Sequence, residues 1–319
     1  MDKQAIQPQF SRRDFGKRVL AALAVAAIPG IGALARPEEV GAVPLSGVTG
    51  VVSSSDGFLS LRKGPSLSYA WMKDLPNGTP LSIVQTSSNW FKVVAGGSTG
   101  WVNSWYVSLN GTPSRVITRG NTSRKMIALT FDAGSDRGYI DSILNTLAYY
   151  GVPASFGLTG MWIKAYPGDA ARIVANGHQV LNHTLDHLSY TGYSTGSDPI
   201  SPASRLSQII ANESLINNTT GATAKPLWRP PYGDYNGDVL REVGAIQYSR
   251  TVMWSIDTMG WNGASAETIY QDVCARAGFG KIVLMHVGAA SADAIALPRI
   301  IRKLRARGYQ FGTVSQVIA

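Results

Sequence analysis

A single cysteine, Cys274, stands in 319 residues, which excludes an internal disulfide and any cluster of thiolates around a metal. It falls in a helical pattern with Ile269 and Val273, so its role is packing. Histidine is scarce too, at four, and any imidazole chemistry must rest on few positions. Acids are in short supply: 20 Asp and Glu face 29 Lys and Arg, a net charge of +9. That balance favours an anionic partner, and a negatively charged wall or membrane satisfies it as well as nucleic acid does. No nucleic-acid-binding motif accompanies it, and no nucleic acid is expected as a partner. Also missing is an apolar run of the ~20 residues that a spanning helix needs. With 45% hydrophobic residues, the chain is nevertheless long enough for more than one core.

The longest weakly apolar run, Val19 to Ala35, is broken by Pro29 and Gly30, follows the basic stretch "SRRDFGK" and ends in Ala33-Leu34-Ala35. These are the three parts of an export signal. Arg12-Arg13 followed by Phe15 and Lys17 resembles a twin-arginine signal, which implies export of an already folded protein. Residues 1–35 are therefore expected to be the signal, with a secreted or wall-associated product and no stable membrane span after cleavage. Their five Lys or Arg and two Asp leave +6 of the charge behind. No cysteine adjoins the cleavage site, so lipid attachment is not expected there.

After a linker over 36–47, residues 48–109 alternate short apolar strands with turn signals, Pro76-Asn77-Gly78 and Gly96-Gly97 among them, and show no helical repeat. This is the pattern of a small all-β barrel. Its segments "SLRKGPS", "NWFKV" and "GWVNSWYV" resemble those of bacterial SH3-like domains, which implies contact with the cell wall or packing against a neighbouring domain. Trp71, Trp90, Trp101 and Trp105 suit either a core or a binding groove. A polar, turn-rich linker is expected over 110–124. From 125 to 319 apolar strands alternate with amphipathic helices, which implies a parallel sheet with helices outside. About seven strands in some 195 residues fit a distorted or incomplete (β/α) barrel better than an eightfold one.

Chemistry in such barrels sits just beyond the carboxyl ends of the strands. Five expected strands end on reactive side chains: "IALTF" on Asp132, "HQVLN" on His183, "KPLW" on Arg229, "VMWSI" on Asp257 and "KIVLM" on His286. His183 and His187 in "NHTLDH" are four apart, a spacing that lets both imidazoles face one centre. With a carboxylate they would make a three-ligand site for zinc or a similar divalent ion, leaving a position for water. His178 begins a strand rather than ending one and is expected to be structural.

"TFDAG", "HTLDH", "RPPYG", "DTMGW" and "LMH" stand in the order and spacing of the five motifs of the polysaccharide deacetylases, the NodB-homology group or carbohydrate esterase family 4. The resemblance spans nearly all of 125–319. It implies removal of N-acetyl groups from an acetylated glycan, peptidoglycan first, with chitin-type oligosaccharides or acetylated xylan as alternatives. It also implies one divalent metal ion, zinc, cobalt or manganese. By its motifs Asp132 is the base that deprotonates the attacking water, Arg229 orients that base, and His183 and His187 hold the metal. His286 is the acid that protonates the departing amine, and the Tyr232 backbone N–H is a donor to the oxyanion. Trp261 is expected to line the acetyl pocket or to pack.

Two positions depart from the pattern. Ala133 stands where the family has a second, metal-binding Asp, and Asp136 is expected to supply that carboxylate, with N-cap of the next helix as its alternative role. Gly260 stands where the family has an Asp that tunes the acid histidine, and Asp257 is expected to take over part of that work. The competing reading is a wall-binding protein whose deacetylase domain has lost catalysis through these two changes.

Overall fold

The computed structural model describes residues 42–134 and 136–319. The expected export signal and the start of the linker after it lie outside the described residues. Among the described residues no helix is long and apolar enough to cross a membrane.

The amino-terminal sheet has seven strands: β1 Val43–Val52, β2 Phe58–Arg62, β3 Trp71–Pro76, β4 Pro80–Ser87, β5 Trp90–Ala95, β6 Ser98–Asn103 and β7 Val107–Leu109. Their spatial order is β3-β2-β6-β5-β4-β1-β7, and every pairing is antiparallel. Strand β1 begins inside the segment expected to be linker, because Val43 and Pro44 already pair with Thr86 and Gln85 before a bulge. Gly96 and Gly97, with φ of +53° and +76°, form the two-residue turn of the β5–β6 hairpin, a left-handed pair that side chains resist. Leu61, Ile83, Phe91, Val93 and Val102 form the core. Of the four tryptophans only Trp90 is buried, while Trp71 and Trp105 are exposed.

The second sheet is parallel throughout. Its strands are β8 Arg115–Ile117, β9 Met126–Ala133, β10 Ser155–Leu158, β11 Gln179–Asn182, β12 Leu227–Trp228, β13 Arg250–Val252, β14 Ile256–Asp257 and β15 Ile282–His286, in the order β14-β15-β9-β10-β11-β12-β13-β8. A further strand, β16 Gln310–Phe311, pairs with the start of β9. Around the sheet lie helices α1 Ile140–Tyr150, α2 Gly160–Ala165, α3 Pro167–Ala175, α4 Pro202–Thr220, α5 Gly237–Ala245, α6 Ala266–Arg276, α7 Asp293–Ala306 and α8 Val314–Ile318. With β14 and β8 as its two ends, the curled sheet is an incomplete barrel. With β16 it has nine strands against about seven expected, because residues 115–117 of the supposed linker pair with β13 and the single strand expected at "VMWSI" is divided between β13 and β14. Three residues are too short to show an alternation in sequence. Strand β9 is buried along seven of its eight positions, as a central parallel strand covered on both faces must be.

Helix α4 joins the two sheets. Ser201 caps its start with Pro202 in the first turn, and Gly221 at φ +70° ends it. On one side the Ser207 hydroxyl meets Thr86 of β4 at 2.6 Å, and the Ala203 N–H donates to the Ser104 hydroxyl. Arg205, buried and paired with Glu242 of α5 at 2.9 Å, also lies over the Trp105 ring. On the other side Asn212 donates to Asn182 at the end of β11, and Gln208 accepts from the Asp186 N–H in the loop after it.

Candidate active site

Asp132, at the end of β9, is buried, and its carboxylate is oriented from two directions. The Arg229 guanidinium donates from Nη1 to Oδ1 at 2.7 Å. Gly157 of β10 gives it room: a Cβ there would lie 2.4 Å from Oδ1, inside contact distance with the carboxylate itself. Burial acts to raise the Asp132 carboxyl, but the charge and hydrogen bond of the Arg229 guanidinium outweigh it and the net direction is down. The group is therefore ionised at neutral pH, with Oδ1 held by Arg229 and Oδ2 left over. We expect Gly157→Ala to displace this carboxylate and cut activity by about 10²-fold, the penalty for misplacing a catalytic group by about 1 Å. Comparison of kcat between folded wild-type and variant protein checks it.

Arg229 follows β12 and is fully buried. Besides Asp132 it donates from Nε to the Val252 carbonyl at 3.1 Å and lies over the Trp254 ring. Its own carbonyl accepts from His183 Nδ1 at 2.9 Å. One residue thus positions both the acid and the first imidazole.

That hydrogen bond fixes the His183 tautomer: Nδ1 carries the proton and Nε2 presents a lone pair. Burial lowers the His183 pKa, so the ring is neutral. Its Nε2 faces Asp132 Oδ2 at 3.5 Å, two acceptors with no proton between them. The His187 ring stands edge-on to His183, with centroids 4.8 Å apart, and burial brings its pKa to about 3. Two neutral imidazoles beside a carboxylate are a donor set that suits a divalent cation. Among the described residues, no group of three His, Cys, Asp or Glu side chains gathers tightly around one point. His183 and His187, beside Asp132 Oδ2, are the residues that would hold such a cation.

Asp136 does not join them. It is exposed, its Oδ1 accepts from the Ala289 N–H at 3.0 Å, and its carbonyl accepts from the Trp162 indole at 2.9 Å. Nor does it cap α1, whose N-cap is Tyr139 without a side-chain bond. The cap role expected for Asp136 is not taken up; its carboxylate braces the loop after β9 against the loop after β15. Ala133 is fully buried, its carbonyl occupied by the Thr159 N–H and hydroxyl.

The loop carrying the histidines is held from beneath. Asn182 accepts from the Thr184 N–H and donates to Tyr248 and to the Ile209 carbonyl, while Gln208 grips both the N–H and carboxylate of Asp186. Asp234 ties Ser189 and Thr191 to the turn containing Tyr232. Four of the non-glycine residues with left-handed φ, Thr184, His187, Tyr232 and Met259, lie in these rim loops. Such conformations persist where surroundings enforce them, as they do around functional sites. The Tyr232 ring packs on His187 at 4.6 Å and is half exposed, as is Trp261, so both present aromatic surface at the rim.

His286 ends β15 directly opposite Asp132 in the strand register. Asp257 does not support it. The Asp257 carboxylate instead accepts from the Met259 N–H two residues on, a local turn bond. The carboxylate near His286 is Asp293, fully buried at the start of α7, with Oδ2 accepting from the His286 N–H at 2.8 Å and the Ser291 hydroxyl at 2.7 Å. Sequence reasoning missed it. An acid in the first turn of a helix reads as dipole compensation, and only its distance of seven residues from a strand-end histidine was available as a signal. His178 is structural as expected: its Nδ1 accepts from the Ala154 N–H, and burial brings its pKa to about 4.

An open parallel barrel bearing an Asp–Arg pair, two facing imidazoles and a further histidine on one rim defines the class. The polysaccharide deacetylase family model matches residues 119–250, and the bacterial SH3 domain model matches 57–108. A peptidoglycan-N-acetylglucosamine deacetylase of Bacillus cereus is 31% identical over 200 residues, 61% of this chain and 89% of that protein. The chain belongs to the polysaccharide deacetylase family. Peptidoglycan-N-acetylglucosamine deacetylase PgdA of Listeria monocytogenes is 33% identical over 195 residues, 61% of this chain; the match spans only 39% of that longer protein. Among solved structures BA3943 of Bacillus anthracis, a CE4 family pseudoenzyme, is similar with a TM-score of 0.59 and 27% identity, covering 65% of this chain and 70% of that one.

Proposed function

We propose that this protein is an exported, metal-dependent N-deacetylase of peptidoglycan, with its SH3 domain contacting the wall. The observation that carries the reading is the placement of Asp132, Arg229, His183, His187 and His286 side by side at or just beyond the carboxyl ends of four strands. The barrel supplies position; the side chains supply proton transfer.

His183 and His187 would hold the cation, which when bound polarises the amide carbonyl and lowers the pKa of a water molecule. Asp132 Oδ2, free because Arg229 occupies Oδ1, takes the proton of the attacking water. Arg229 keeps that carboxylate ionised and oriented. The Tyr232 N–H, in the turn fixed by Asp234, donates to the developing oxyanion. His286 returns a proton to the amine nitrogen as the C–N bond breaks. Tyr232 and Trp261 offer ring faces to sugar. Acetate and a free amino sugar result.

Ala133 supports a second reading, a wall-binding protein with impaired catalysis, since no third ligand takes the place of the missing carboxylate among the described residues. Acetate release from purified peptidoglycan, with acetylated chitooligosaccharide and xylan alongside, separates the two: release from none of them leaves the binding reading. Elemental analysis tests the ligand set independently. We expect His183→Ala to lose the bound divalent ion, and Asp136→Ala to retain it because its carboxylate is committed to Ala289. Loss of metal in Asp136→Ala would restore that residue as a ligand.

A further inference from the structure

Gly260 and Asp293 occupy one space. A Cβ built at Gly260 would lie 2.7 Å from Asp293 Oδ2, 3.0 Å from its Cγ and 2.2 Å from the Ser291 hydroxyl. The side chain absent from the Gly260–Asn262 turn is thus replaced, in position, by a carboxylate delivered from the first turn of α7. That carboxylate is fully buried and sits beneath the His286 ring, with Oδ2 4.0 Å from Nδ1. A buried ring nitrogen without a partner beside a buried carboxylate calls for a shared proton. The separation is about 1 Å longer than a hydrogen bond, and such contacts in resting sites tighten when substrate binds.

We propose that Asp293 is the positioning residue of His286, taking the proton on Nδ1 so that the ring presents Nε2–H to the leaving nitrogen. The inference rests on the deacetylase reading. In the step concerned, water oxygen bonds to the acetyl carbon, Asp132 takes the water proton, and the C–N bond breaks. The amine nitrogen receives the bonding pair together with the proton from Nε2. Asp293 keeps its carboxylate throughout; its charge stabilises the cationic ring before transfer. The Ser291 hydroxyl and the His286 N–H hold Oδ2 in place for this task.

The leaving group tests the proposal. An amine needs protonation to depart, whereas the nitrophenolate of 4-nitrophenyl acetate does not. Asp293→Asn is expected to lower kcat on N-acetylated glycan by about 10²-fold, the lower end of a general acid's contribution, with KM unchanged and aryl acetate hydrolysis within about twofold of wild type. Parallel loss on both substrates, or loss on neither, overturns it. The triple variant Gly260→Asp/Ser291→Ala/Asp293→Ala, which supplies the carboxylate from the other side and clears its space, should regain at least about a tenth of the lost glycan activity; no gain over Asp293→Ala counts against it. If the wild-type protein releases no acetate from any glycan, the deacetylase reading fails instead. In that case the ring itself is read by 15N NMR: Asp293→Asn must shift the His286 Nδ1 resonance while leaving those of His183 and His187 in place, and an unmoved Nδ1 overturns the proposal.

Discussion

Asp132→Asn should release acetate from peptidoglycan about 10² to 10⁴ times more slowly than wild type, the range that a positioned general base contributes. The change keeps the shape of the side chain and an oxygen for Arg229, but the amide has no basic oxygen to accept the water's proton. It also removes the negative charge facing a guanidinium that has no exposure at all. Two readouts follow from one substitution. Acetate assays measure the lost base, and chemical denaturation measures the penalty of an Arg229 left without its counter-ion, some 3–5 kcal/mol where one partner of a buried pair is removed and less here because the amide oxygen remains an acceptor. Equal acetate release by the variant and wild type would mean that Asp132 is not the base.

Arg229→Ala is expected to be the most damaging single change to the fold. It removes the partner of a buried carboxylate, about 3–5 kcal/mol, and opens a cavity beside Trp254, adding a further cost of the kind seen on truncating large core side chains. Arg229→Lys separates charge from shape. A lysine ammonium can still face Asp132, but it cannot also hold the Val252 carbonyl from a second nitrogen of a planar fork. The expected order of stability is wild type, then Lys, then Ala, measured by urea denaturation with tryptophan fluorescence. Acetate release should fall sharply in both variants, because Asp132 loses its orientation in each. If Arg229→Ala were as stable as wild type, the buried pair would have no part in holding β9 and β12 together.

The strand-end residues were legible because strand order and side-chain chemistry are both local: an apolar run that stops on Asp132, His183, Arg229 or His286 carries its own position on the barrel. The antiparallel domain was legible through its turns, Gly96-Gly97 above all. Two boundaries were not. Val43 and Pro44 show no strand pattern of their own and enter the sheet through β4, and Arg115–Ile117 acquires its strand character only from β13. The acids divide similarly. Asp136 and Asp257 lie near the motifs in sequence, yet each is taken by a nearby backbone N–H, Ala289 and Met259. Asp293 lies outside every motif and reaches His286 only because α7 starts where Gly260 leaves space. Proximity along the chain was a poor guide wherever a glycine decided which side chain could enter.

Helix α4 gives the two domains a common beam. Its residues 203, 205 and 207 are anchored to the small barrel, while Gln208 holds Asp186 in the loop that carries both imidazoles and Asn212 holds Asn182 at the foot of that loop. An excised catalytic half would strip the hydroxyl partners from one flank of that beam and leave the Arg205–Glu242 pair uncovered by Trp105. Trimming the protein to its deacetylase domain therefore discards part of the scaffolding that keeps the two histidines aligned.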